Sequence, residues 1–444
     1  MNLQFNDDNS PIPTVFVGVN GSGKSLLLSI VLEAIVMMRE RAFGSSPEIE
    51  SGKYFKPISS RVIANQTESY ALSNCKFSHG DQKVEFLELI SNKDEDGNYI
   101  KPDNFVPSTG FNESSFNKQG SSKTISVTGG DISEAVSKGV YAYYPAGRAE
   151  RPNWLNKDVG IDFEIRETYR GVAQYNIWRT NLIHEVTTWI LDVVLDTEIY
   201  DRTSTTIPIK VGEQELKVPG WISTPGPNRR ILNHLNTLLT DINTFGGKQY
   251  KSVRLGVSPR YAGSRQVNVI GKKDNGSEDI LATTVLDLST GELMILCMFA
   301  DIIRLAEKQG WDKNKLSDIS GIVIIDEADL HLHINLQKNL LPKMMSQFTN
   351  IQFLLTTHSP FLSVGLSDNK VDIRNMPQGS VISPSDFSEF QIAYDTFVKQ
   401  QDSSEKTYSR LQAVLNESDR PLICLLYTSP SPRDATLSRM PSSA

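Results

Sequence analysis

The 444-residue chain has only three cysteines, Cys75, Cys297 and Cys424. They lie too far apart in sequence to suggest a disulfide framework or paired metal ligands. No apolar run approaches the roughly 20 residues that span a bilayer, and the polar opening MNLQFNDDNS does not read as a signal peptide. These absences lead us to expect a cytoplasmic protein with no membrane partner. No internal repeat and no sustained heptad pattern is visible, so solenoids and coiled coils are set aside. What is present is a 39% hydrophobic complement, enough for a sizeable core in one large domain or two to three ordinary ones.

Charge is unevenly spread. The whole chain carries −7, yet residues 202–273 hold twelve Lys and Arg against three Asp and Glu. Trp221, Phe245, Tyr250 and Tyr261 are interleaved with these basic groups. Such a segment is a candidate for contact with a phosphate backbone, DNA being the partner considered. A cationic face balancing acidic neighbours is the plainer reading.

Along the chain, a strand over 14–19 enters a glycine-rich turn, and a helix follows to about residue 40. Residues 60–90 read as short strands, and 92–124 as a polar, aperiodic and mobile loop. VYAYYPAGR (140–148) reads as a buried strand ending in a turn. Apolar spacing predicts helices over 175–196, with Ile177 and Trp178 at its start, and over 229–243. TTIPIKV is a strand candidate, and RQVNVIGKKDNGSEDILATTV a hairpin turning at Asn275-Gly276. A helix over 291–308 precedes the strand GIVIIDE, and the strand IQFLLTTHS follows. The last stretch, 425–444, holds Pro430, Pro432 and Pro441 among serines and cannot add to a packed core. It resembles an adapter-derived tail and is expected to be non-native and disordered.

Gly18, Gly23, Lys24 and Ser25 satisfy G-x4-G-K-S in the stretch VFVGVNGSGKSLLLSIV, between a strand and a helix as that motif requires. Glycines let backbone N–H groups fold into an anion nest, and the helix N-terminus adds positive potential. Asn20, Gly21, Ser22, Gly23, Lys24 and Ser25 are therefore the predicted phosphate-binding residues. Lys24 supplies a point charge to the β- and γ-phosphates, and the Ser25 hydroxyl is a ligand for Mg²⁺.

Three further segments narrow the class. In GIVIIDEAD (321–329), a buried apolar strand delivers Asp326 and Glu327 to its C-terminal edge. Asp326 is placed for Mg²⁺, and Glu327 as the base or polariser for an attacking water. LDLSTGELMIL (286–296) sets Ser289 and Gly291 at a helix start, where helix capping alone would also account for Ser-Thr-Gly-Glu. FLLTTHSPFL (353–362) puts His358 just past a buried strand. Alone, such a histidine reads as structural; with the other three motifs in this order it reads as functional.

The order GVNGSGKS, LSTGE, IIDEADLHLH and TTHSP resembles the ABC-type P-loop ATPase heads of the RecF/SMC/OLD-like branch, over about residues 1–370. The resemblance implies an α/β fold: a P-loop NTPase with a mixed central sheet, an antiparallel β subdomain and a helical/β insertion. It implies a head over 1–400, with its nucleotide core in 1–145 and 280–370 and the insertion in about 146–279. It further implies ATP with Mg²⁺, and heads that pair head to tail around two ATP molecules. Ser289 and Gly291 would then bind the γ-phosphate held by the partner's phosphate turn, His358 would contact the γ-phosphate, and Glu327 and His358 would be catalytic. Residues 328–331 would be the dimer-facing loop. The family's Q-loop glutamine has no plain counterpart; Gln66 and the turn YYPAGR at 143–148 are the candidates. In OLD-like proteins a Toprim nuclease follows, and NESDRPLIC (416–424) resembles its first strand. Residues 401–424 are thus expected to begin a truncated C-terminal region, and nuclease activity is not expected here.

The expected function is ATP hydrolysis coupled to head dimerisation, serving a DNA-related role in repair or anti-phage defence. Two alternatives stand beside it: a low-turnover ATP switch acting on a separate effector protein, and a transporter ATPase subunit. The long insert between Lys24 and Ser289 argues against the transporter.

Overall fold

A computed structural model of the chain describes residues 11–382, apart from 50–54, 57–68, 104, 108–109, 150–174, 212–213, 224–225, 246–249, 258–266, 312–314 and 368–370. Residue contacts divide the chain into Met1–Asp386 and Phe387–Ala444, and every described element belongs to the first unit. Gln66 and Tyr261 lie outside the described residues, as do the side chains of Trp221 and Phe245.

In chain order the elements begin with β1 (Thr14–Val17), α1 (Lys24–Phe43), β2 (Tyr70–His79), β3 (Gln82–Ser91), α2 (Glu113–Gln119), β4 (Ser121–Thr128), α3 (Ser133–Lys138) and β5 (Val140–Tyr144). The middle of the chain supplies α4 (Leu182–Ile199), β6 (Arg202–Val211), β7 (Gln214–Ser223), α5 (Pro227–Phe245), β8 (Ser252–Val257), β9 (Val267–Lys272) and β10 (Glu278–Ala282). The remainder is α6 (Thr290–Lys308), β11 (Ser320–Ile325), α7 (Leu341–Ser346), β12 (Asn350–Thr356), α8 (Pro360–Ser367), β13 (Asp372–Asn375) and β14 (Ser380–Val381).

The central sheet runs β14-β13-β1-β12-β11-β5. All its pairings are parallel except that of β13 with β14. Side chains alternate between its faces. Phe16, Tyr141, Tyr143, Ile324 and Leu354 join Leu28, Leu32, Ile35 and Val36 of α1 in one buried cluster. On the opposite face Phe353 packs tilted against Phe299 of α6, and Phe348 stacks on it, at 6.5 and 5.7 Å between ring centroids. Helix α6 is apolar nearly all round, so it must be enclosed. Residues Gly291–Phe299 are all buried, and α4 and α5 pack on it from the insertion side.

Two antiparallel three-stranded sheets flank this core, β2-β3-β4 and β10-β9-β8, and β6-β7 forms a separate hairpin. The β9–β10 turn falls at Asn275-Gly276, where Gly276 takes a φ of 83° and the Ser277 N–H donates to Asn275 Oδ1. The architecture is thus α/β, with a mixed central sheet whose core strands are parallel, and with additional antiparallel sheets.

Two expectations need correction. The predicted helix over 175–196 begins at Leu182. Ahead of it, Ile177 and Trp178 instead extend the sheet edge: Tyr143 N–H donates to Ile177 O (2.9 Å), and Arg179 N–H to Tyr143 O (3.0 Å). The open edge of β5 offered unpaired backbone groups, and satisfying them outweighed helical propensity. The segment 92–124 is not a structureless loop either. It contains α2 and the start of β4, because Tyr99, Phe105, Phe111 and Phe116 form a chain of ring contacts at 5.2–5.9 Å. Asn112 Oδ1 accepts the Ser115 N–H and caps α2.

One buried charge network ties the insertion to the core. Asp301 on α6 is fully buried and accepts from Arg179 Nε (2.8 Å), Arg179 Nη2 (3.0 Å), Arg304 Nη1 (3.2 Å) and the Tyr144 hydroxyl (3.1 Å). Arg179 and Arg304 also donate to Glu185 Oε2 on α4, at 2.7 and 2.8 Å. Burial opposes the charge on Glu185, but the two arginines outweigh it and hold its carboxyl at about 2.

Candidate active site

Strand β1 stops at Val17 because Gly18 turns the chain with a φ of 148°. Gly21 and Gly23 follow at 80° and 90°, dihedrals that disfavour any side chain. Gly18 is constrained twice, since a Cβ there would lie 2.9 Å from Met376 O and from Ser22 Oγ. Lys24 opens α1 and is buried, its Nζ donating to Gly18 O (2.7 Å) and Val19 O (3.1 Å). Asn20, Gly21 and Ser25 are exposed, and Ser22 and Gly23 partly so. The first turn of α1 has no acidic residue of its own.

The acids arrive from β11. Asp326 is buried, and its Oδ1 accepts from Ser25 Oγ (3.1 Å) and Thr356 Oγ1 (2.5 Å). The phosphate loop and the first acid therefore touch directly, although 301 positions separate them. A hydroxyl and a carboxylate side by side are hard oxygen donors of the kind Mg²⁺ prefers, so the residues fit the expected ion. Glu327 has the left-handed φ of 48°, a conformation that costs a non-glycine residue about 1–2 kcal/mol. Its N–H donates to Thr356 Oγ1 (2.8 Å).

His358 follows β12 and is partly exposed. Asp329 Oδ1 accepts its N–H (3.3 Å) and the Thr357 hydroxyl (2.5 Å). The Ser359 hydroxyl donates to Gln337 Oε1, whose Nε2 donates to Leu332 O (2.7 Å) and Asp329 O (3.3 Å). The histidine segment and the loop after the acids are thus one hydrogen-bonded unit.

Ser289 is exposed at the start of α6 and forms a capping box with Glu292. Its hydroxyl donates to Glu292 Oε2 (2.8 Å), and the Glu292 N–H donates back to Ser289 Oγ (3.4 Å). Gly291 lies against the same loop, because a Cβ there would be 2.6 Å from His331 O. Within one subunit, then, Ser25 meets Asp326, and Asp329, three residues on, meets His358. Gly291 meets the loop at His331, while Ser289 is bonded to Glu292 of its own helix.

The structure adds residues that motif reading missed. Arg148, from the turn YYPAGR, is 3% exposed. It donates through Nη1 to Asp326 O (2.7 Å) and Pro145 O (3.1 Å), and through Nη2 to Glu327 O (2.9 Å). Burial pushes its guanidinium down, while Asp326, Asp329 and Glu327 pull it back. Burial, and then Asp326, keep the neighbouring Tyr143 hydroxyl protonated. Tyr144 O accepts the Asp326 N–H (2.9 Å), which fixes β5 beside the acids. The available signal was the buried strand VYAYY ending in a turn.

Residues 230–364 match the family described as AAA domain, putative AbiEii toxin, Type IV TA system. The chain is similar to the Retron Ec83 probable ATPase of Escherichia coli, 46% identical over 80 residues that cover 18% of this chain and 15% of that protein. It is also similar to the Retron Vc95 probable ATPase of Vibrio cholerae serotype O1 biovar El Tor, 38% identical over 102 residues, 23% of this chain and 19% of the relative. The matched segments thus span less than a fifth of either relative. Among solved structures, the SMC head domain from Thermotoga maritima aligns over 84% of this chain and 87% of its own, at 11% identity and a TM-score of 0.36. With the glycine turn and the first acid joined by one hydrogen bond and the AAA family model matching residues 230–364, the chain is similar to P-loop ATPases of the ABC, SMC and RecF-like type.

Proposed function

We propose that the chain binds ATP at Asn20–Ser25, hydrolyses it, and uses ATP to join two heads in a DNA-related role. Likeness to two retron ATPases favours anti-phage defence over repair. The observation that carries the reading is the contact of Ser25 Oγ with Asp326 Oδ1. These two oxygens are the groups to hold Mg²⁺, which when bound offsets the charge of the β- and γ-phosphates.

In this reading Lys24 leaves its loop carbonyls for the phosphates, and the glycine turn offers its N–H groups to them. Glu327 polarises the attacking water, and His358 contacts the γ-phosphate. Ser289, exposed at the start of α6, is offered to a partner's phosphate turn. The nucleotide then selects the paired state, because it contacts both heads only when they are closed.

Sedimentation of wild type and Glu327→Gln, with and without ATP and Mg²⁺, tests the proposal. Slowed hydrolysis should trap a dimer in the variant. A variant that stays monomeric under ATP would sink the sandwich. Measurable wild-type phosphate release, abolished in Lys24→Ala, is expected in the same preparation.

A further inference from the structure

We propose that Arg148 is a positioning residue of this site, holding the main chain on which Asp326 and Glu327 are mounted. The inference rests on the ATP-hydrolysis reading above and adds to it a residue outside the four motifs.

The argument begins with how the arginine spends its donors. Nη1 and Nη2 reach the successive carbonyls of Asp326 and Glu327 at 2.7 and 2.9 Å. A planar fork can span two adjacent carbonyls, whereas a lysine ammonium is a single point. Those carbonyls do not neutralise a buried cation. The compensating field comes from the three carboxylates around it, Asp326, Asp329 and Glu327. Burying a cation this way is costly, and Arg148 Nε is itself buried without a hydrogen-bond partner among the described residues. Two well-packed apolar residues would serve stability as well.

The geometry points to what the arrangement accomplishes. Glu327 sits at a φ of 48°, which its own side chain disfavours. Both ends of the residue are pinned: its N–H by Thr356 Oγ1, its carbonyl by Arg148 Nη2. Asp326 is held in the same way, its N–H on Tyr144 O and its carbonyl on Arg148 Nη1. Each acid therefore leaves a peptide frame fixed on both sides. Among the described residues, Arg148 is the side chain that binds the carbonyls of both frames, and it carries the tension that keeps Glu327 left-handed.

The test uses the full chain with Arg148→Lys, Arg148→Met and Arg148→Ala. Mn²⁺ binding to the nucleotide complex is followed by electron paramagnetic resonance, metal-free binding of a fluorescent ATP analogue in EDTA, and turnover by phosphate release. Metal affinity and kcat should each fall about tenfold or more in the Lys and Met variants, as when a group orienting metal ligands is removed. Metal-free nucleotide affinity and KM should stay within about threefold of wild type, because the glycine turn is untouched. Methylguanidinium should restore part of the kcat lost in Arg148→Ala, a rescue that also covers failure of the Met variant to fold. Wild-type metal affinity in both Lys and Met variants would overturn the proposal. So would a parallel loss of metal-free binding, which would mark general collapse. A wild type without turnover would sink the hydrolysis reading, while the Mn²⁺ titration would still judge Arg148.

Discussion

At the scale of single residues, contiguity decided what motif reading could find. Gly18 to Ser25 lie together in sequence, so the glycine turn was legible. Asp326 and Glu327 were legible because the apolar run Ile322–Ile325 marks where a buried strand ends. Arg148, Thr356 and Asp329 lie in or beside stretches the sequence marked, but their partners were not marked with them, and Gln337 lies outside those stretches. Their contacts are hydrogen bonds to groups up to 179 positions away, which no local pattern reveals. Gly291 lies between these cases: its place in LSTGE was visible, but its approach to His331 O was not. That approach makes a prediction. In Gly291→Ala the methyl would sit 2.6 Å from the carbonyl oxygen, so the first turn of α6 and the loop must part, at about 1–3 kcal/mol. Calorimetry should show this loss. In a Glu327→Gln background the ATP-dependent dimer should disappear from sedimentation profiles, while nucleotide affinity of the phosphate turn is unchanged.

At the scale of elements, the long apolar runs were the reliable guides. Helix α6 and strands β11 and β12 fall close to where periodicity set them, because burial on all sides demands uninterrupted apolar sequence. The start of α4 failed because Ile177 and Trp178 continue its apolar spacing while serving the edge of β5. The polar composition of 92–124 concealed four aromatic rings that make a small core of their own. The α4–α6 ion network permits a prediction about acid. The Glu185 carboxyl is held at about 2 in the fold against an ordinary 4.5. As pH falls, the unfolded chain takes up the proton first, so the network's contribution is complete above about 4.5 and is lost as pH falls toward 2. Glu185→Gln should cost about 1–3 kcal/mol at neutral pH, discounted from the buried-pair value because the side chain is 27% exposed. Urea titrations at pH 7 and pH 3 should show the gap between variant and wild type narrowing in acid.

At the scale of the whole molecule, net charge and local charge point in different directions. The chain carries −7 overall, yet α5 and β8–β9 bring Arg229, Arg230, Lys251, Arg254 and Lys272 into one insertion. Part of this charge is answered nearby. Arg254 Nη2 lies 2.8 Å from Glu278, and Lys273 Nζ 2.5 Å from Asp279. Any contact with nucleic acid must therefore draw on the other basic groups as well. Replacing Arg229, Arg230 and Arg254 by Glu should weaken duplex-DNA stimulation of ATP turnover. The same change should flatten its salt dependence by about 0.9 in log–log slope for each phosphate no longer neutralised. Unchanged stimulation would remove their part in DNA contact.

One junction has a reach beyond its size. The carboxylate of Asp329 accepts the Thr357 hydroxyl and the His358 N–H, and two residues on, the carbonyl of His331 rests on Gly291. The segment after β12 and the first turn of α6 thus hang on one short stretch, 329–331, so a displacement of either must be passed to the other.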